Sequence, residues 1–152
     1  MSLLVSVLNR ARGFRAPRRA KLTAALEAAA RPFRRGGEVD VVWVACAEMR
    51  RLNRRFTGRG TETDVLAFAD EGEALGEIVC NLELARKRAE RFGHTREAEA
   101  ILYAVHGLLH LLGEDDHTPE GRRRMRRMEL EALAKAGLRI GGGEWDSGGR
   151  KG

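Results

Sequence analysis

Residues 38–46, EVDVVWVAC, are so rich in β-branched residues that they read as a central strand, and that strand limits what the rest of the chain can do around it. Helical patterns lie on both sides. Before it, Pro17 opens an Ala-rich helix whose Leu22, Leu26, Ala29 and Phe33 share a face, ending near Pro32 and the Gly36-Gly37 pair. After it, Met49, Leu52 and Phe56 repeat at helical spacing. A first strand is expected at 3–8 (LLVSVL), and two more at 65–69 (VLAFA) and 76–81 (GEIVCN), joined by an acidic loop. Asn81 is placed to cap a helix that Gly93 ends, and Thr95 to cap an apolar helix reaching Leu112 and stopped by Gly113. Thr118-Pro119 opens a last helix to about Ala136, with Met125, Met128, Leu130 and Leu133 expected in the core. The order β-α-β-α-β-β-α-α-α is that of an α+β chain: a single compact domain, a small mixed sheet packed with about five helices. The domain is expected over 1–140. The stretch 141–152, GGGEWDSGGRKG, has too little apolar content to pack and is expected to be a disordered tail.

At 152 residues there is room for one core, and two large domains are excluded. Only eight residues are Phe, Tyr or Trp, too few for a dedicated base-stacking platform. The formal charge of +6 is unevenly spread. The residues through Gly36 carry nine basic groups and one acidic, a net of +8, whereas the remainder is net −2. A concentrated positive patch fits a polyanion. No apolar run is long enough to span a membrane, and the start places apolar residues before charges, the reverse of a secretory signal, so a cytoplasmic chain is expected. Cys46 and Cys80 lie in apolar runs without a C-x-x-C partner and read as small buried hydrophobes.

The chemistry concentrates in residues 106–117, HGLLHLLGEDDH. Imidazoles at i and i+4 point the same way from a helix, one turn apart, which suits two bonds to one metal ion. Gly113 lets the backbone turn, so the following loop can bring a third ligand round. Three protein ligands with a fourth position open describe catalytic zinc. The metalloprotease helix motif carries Glu directly after the first His; here that position is Gly107, which disfavours a peptidase and leaves a phosphodiester as the candidate substrate. His94, in a Gly-containing loop, reads as a surface or capping residue. Glu114 and Asp115 read as solvated loop carboxylates.

The chain resembles the YbeY endoribonucleases. The likeness rests on Leu52-Asn53 and Phe56, on 63–68 (TDVLAF), on 75–79 (LGEIV), and above all on HGLLHLLG at 106–113. It implies a compact α+β fold, zinc held by the His motif, and metal-dependent cleavage of single-stranded RNA. It also implies work on the 3′ end of small-subunit ribosomal RNA and in ribosome quality control, with the small ribosomal subunit as partner. Two departures stand out. The family's third histidine falls six positions after the second, which here is Asp116, with His117 one further; spacing favours Asp116 and imidazole chemistry favours His117, so both are candidate ligands beside His106 and His110. The family's catalytic arginine follows the aromatic at Phe56, where this chain has Thr57; Arg59 or Arg55 is the candidate replacement.

Arg122, Arg123, Arg124, Arg126 and Arg127 crowd the first turns of the last helix, where the macrodipole disfavours cations. Arg122, Arg123 and Arg126 are therefore candidate RNA-binding residues. Arg10, Arg12, Arg15, Arg18, Arg19 and Lys21 form a second candidate phosphate track. The competing expectation is a non-catalytic ribosome assembly factor whose metal is structural.

Overall fold

The run at 38–46 supplies the strand on which the sheet is built. In the computed structural model, which describes residues 2–141, β1 (Leu3–Asn9), β2 (Gly37–Val44), β3 (Val65–Ala69) and β4 (Gly76–Asn81) form one sheet in the order β1-β2-β4-β3. β1 and β4 flank β2 in parallel, and β3 closes the sheet antiparallel to β4. The helices are α1 (Arg19–Ala30), α2 (Cys46–Thr57), α3 (Leu82–Phe92), α4 (Arg96–Leu111) and α5 (Pro119–Lys135), with a short 3-10 turn at Arg31–Phe33. The element order expected from the sequence is therefore the observed one.

Alternation along β2 sets the layers. Val39, Val41 and Trp43 point into the larger core with α1, α4 and α5, while Val42 and Val44 point the other way, onto Met49 of α2. The histidine-bearing helix crosses the first face, against β3 and β4. Its Ile101, Leu102, Val105, Leu108 and Leu109 are fully buried, each contributing about 1.5–3 kcal/mol. No helix of the described residues is long and apolar enough to cross a membrane.

Two local expectations change. Leu130 is exposed, on the outward face of α5. Cys46 opens α2 rather than ending β2, though both cysteines are buried as expected. The tail expectation falls mostly on 142–152, outside the described residues. Gly141 itself donates its N–H to His94 Nδ1 at 3.0 Å.

Candidate metal centre

Gly113 makes the turn that the site needs. With φ at +99° it lets Glu114 N–H return to the Leu109 carbonyl at 2.9 Å and its own N–H reach the His110 carbonyl at 3.0 Å, a Schellman cap that folds the chain back beside the helix end. The loop is then braced from α5. Thr118 caps that helix through Gly121 N–H at 3.0 Å, and Arg122 Nη1 donates to the Asp116 carbonyl at 3.4 Å. Gly121 is needed there, since a Cβ would sit 2.3 Å from the Asp115 carbonyl oxygen.

Asp116 is thereby carried to the two imidazoles. His106 Nε2 and His110 Nε2 lie 3.0 Å apart, and Asp116 Oδ2 is 3.7 Å from the first and 3.8 Å from the second. Ligand atoms held about 2.0–2.1 Å from one tetrahedral zinc are roughly 3.3 Å apart, so the three donors have the spacing of one ion's ligands. These three residues form one of two groups able to hold a metal among the described residues; the other, Asp115, Asp116 and His117, faces solvent. His117 is not brought to the histidines. Its side chain is 83% exposed and its Nδ1 turns to Asp115, 3.1 Å away. Of the two candidates for third ligand, the loop presents Asp116 inward and His117 outward.

Each histidine is oriented by its other nitrogen. His110 Nδ1 lies 3.1 Å from the Glu114 carbonyl, which can only accept, so the proton is on Nδ1. His106 Nδ1 is bonded to Glu129, a buried carboxylate on α5. With both Nδ1 positions donating, both Nε2 lone pairs face Asp116 and each other. Burial pulls the His106 pKa down, but the hydrogen bond and charge of Glu129, with Asp64 and Asp116, outweigh it and the net shift is upward. His110 goes the other way, lowered by burial and then by the His106 charge. A cation relieves three convergent acceptors, and imidazole with carboxylate suits a divalent metal.

Glu129 is a further candidate site residue, not expected from the sequence. Its signal was position: it falls four residues after Met125 on the buried stripe of α5, where a carboxylate needs a partner. His94 was misjudged. It is buried, its Nε2 lying 2.6 Å from Glu99 Oε1. Glu114 is also no free loop carboxylate, since Arg124 Nε holds its Oε1 at 2.6 Å. Gly107 faces the sheet, where a Cβ would lie 2.5 Å from Ile78 Cγ2. A glutamate there would not reach the metal ligands.

The arginines divide. Arg55 is exposed and packs on Phe56, whose ring contacts Phe68 of β3 with ring centroids 4.8 Å apart. Arg59 is exposed in the loop between α2 and β3. Thr57, at the family's arginine position, turns its hydroxyl back to the Asn53 carbonyl at 2.7 Å. Arg123 is exposed, Arg122 braces the Asp116 loop, and Arg126 is half-buried with its Nε and Nη2 covered. The expected N-terminal track is broken up. Arg18 pairs with Glu97 at 2.6 Å and Arg10 with Glu48, Arg19 donates to the Val5 carbonyl, and Lys21 donates to the Ala136 carbonyl at 2.8 Å.

The sequence pattern of the family described as Endoribonuclease YbeY matches residues 13–137. The chain belongs to this family. It is 42% identical over 106 residues to the "Endoribonuclease YbeY" of Solibacter usitatus, covering 70% of this chain and 71% of that one. To the protein of the same name from an Anaeromyxobacter species it is 39% identical over 141 residues, covering 86% of this chain and 73% of that one. The solution structure of TM1509 from Thermotoga maritima shares the fold, with a TM-score of 0.63 at 24% identity over 88% of this chain and 89% of that one.

Proposed function

We propose that this protein is a zinc-dependent endoribonuclease specific for single-stranded RNA, acting in the cytoplasm on the 3′ end of small-subunit ribosomal RNA and in ribosome quality control. The relatives' name, "Endoribonuclease YbeY", supports the reaction class. The observation that carries the metal is the pair of histidines whose Nδ1 atoms are both committed to acceptors, leaving two Nε2 lone pairs aimed with Asp116 at one point.

His106, His110 and Asp116 would hold the ion, which when bound polarises a phosphoryl oxygen and acidifies a water. The protein's own work is orientation. Glu129 and the Glu114 carbonyl fix the rings, Arg122 fixes the Asp116 loop, and Arg59 or Arg55 supplies a guanidinium for charge on the phosphate.

The test is cleavage of a single-stranded ribosomal RNA fragment by wild type, His110→Ala, Arg55→Ala, Arg59→Ala and a chelator-stripped sample. Cleavage lost on chelation and in His110→Ala, and lowered in one arginine variant, is the expected result. Cleavage by His110→Ala equal to wild type would sink the hydrolase. Zinc bound without any cleavage would move the assignment to an assembly factor with a structural metal.

A further inference from the structure

With the internally bonded residues set aside, five of the nine N-terminal cations remain, and three of these lie together. Of the nine, Arg10, Arg18, Arg19 and Lys21 are engaged by the protein's own oxygens. Arg31, Arg34 and Arg35 instead line a groove of about 560 Å³ between the end of α1 and the start of β1, together with Ser2, Leu3, Glu27 and Ala30. Among the described residues none of these three arginines is in an ion pair, and all are exposed.

The groove's wall is fixed by backbone. Gly37 N–H donates to the Ser2 carbonyl at 3.2 Å, and a Cβ at Gly36 would lie 2.4 Å from that same oxygen, so the 34–37 turn is pressed onto the first residues of the sheet. Arg34 holds φ at +53°, a left-handed conformation uncommon outside glycine. The turn thus sets two successive guanidiniums at the groove's mouth at some conformational cost. The charge balance also exceeds what the fold uses. The C-terminal end of α1 presents about half a negative charge and Glu27 one more, against three guanidiniums. A net positive charge is left for an external anion.

We propose that this groove is a second phosphate-binding site, which takes the backbone of the RNA strand away from the cleaved bond. It rests on the ribonuclease reading above. The groove opens at the β1 edge, while the metal ligands lie beside β3 at the other edge; three strand spacings separate these edges, roughly 14 Å. At about 3.4 Å per stacked nucleotide, a dinucleotide is too short to engage both sites whereas a 25-nucleotide strand runs past them, so the groove grips long RNA and leaves the dinucleotide unaffected.

The experiment compares the full chain carrying His110→Ala, to keep the RNA intact, with the same chain carrying in addition Arg31→Gln, Arg34→Gln and Arg35→Gln. Binding of a dinucleotide and a 25-nucleotide single-stranded RNA is followed by fluorescence anisotropy across salt concentrations. The expected result is about tenfold weaker binding of the long RNA only, with its salt slope reduced by roughly 2, about 0.7 per lost phosphate contact. A long-RNA affinity equal to that of the parent overturns the groove, and so does equal weakening of both lengths. A lowered melting temperature with unchanged RNA binding shows that the arginines serve α1 and Glu27 alone, and overturns it too. If the triple variant does not fold, Arg35→Gln by itself must lower the long-RNA slope by about 0.7, and an unchanged slope has the same force. Failure of the zinc-loaded wild type to bind either RNA is a failure of the ribonuclease reading, distinguishable from all of these.

Discussion

Two histidines at the two ends of α4 each meet a buried carboxylate, and they end up with opposite chemistry. His94 has Glu99 on Nε2 and the Gly141 N–H on Nδ1, so both nitrogens are satisfied within the protein and nothing is left to bind. His106 has Glu129 on Nδ1, but its Nε2 faces His110 and Asp116, groups that offer lone pairs rather than protons. A His–carboxylate pair is therefore not a site in itself. What makes one is a second nitrogen aimed at other acceptors.

The comparison breaks most visibly at the ligands. His110→Ala should lower zinc affinity at least about 1,000-fold, beyond the roughly 10- to 100-fold seen for orienting partners, while His94→Gln should leave zinc binding unchanged and cost roughly 1–3 kcal/mol of stability by removing one hydrogen-bond partner of the buried Glu99. Calorimetric zinc titration and thermal melting read the two effects separately, and loss of zinc in His94→Gln would erase the distinction. Next in size is the second partner: Glu129→Gln should weaken zinc about 10- to 100-fold, whereas Glu99→Gln should move only the melting curve. Equal zinc affinity in Glu129→Gln and wild type would remove the role given to Glu129.

Packing around the two ends gives the next effects. Gly107→Ala places a Cβ 2.5 Å from Ile78 Cγ2 and should cost about 1–3 kcal/mol by overpacking, seen in urea melts as a lower midpoint. Gly121→Ala pushes on the Asp115 carbonyl from 2.3 Å and should weaken zinc by moving the Asp116 loop, with little change at the His94 end. The smallest effect is at the start of α4. The Arg18 hydrogen bond and charge hold the Glu97 carboxyl below its usual range. That contribution is present above the ordinary carboxylate pKa and fades as pH falls through the lowered folded value, so Glu97→Gln should flatten the acid limb of the stability profile without touching zinc binding.

Much of this was readable before the fold was known, where the signal was local. The histidine pair follows from i, i+4 spacing and the turn from Gly113, while register favours Asp116 as third ligand and leaves His117 open beside it. The element order follows from periodicity and caps at Asn81, Thr95 and Thr118, all of which bond as expected. The parallel pairing of β1 with β2 is not local information. Nor is the partner of Glu129, one charge among many in α5 until α4 is laid beside it. The burial of His94 is non-local for the same reason: a histidine beside Gly93 looks like a surface residue unless Glu99 and the Gly141 N–H are known to meet its two nitrogens. The basic N-terminal region was legible as charge, but which arginines the fold keeps for itself depended on contacts with Glu48, Glu97 and the end of α5.

Zinc stoichiometry in purified wild type, His110→Ala, Asp116→Ala and His117→Ala tests the central claim most directly. One zinc per chain in wild type and in His117→Ala, with loss in the other two, is the predicted result. Zinc retained by Asp116→Ala, or lost from His117→Ala, would contradict it.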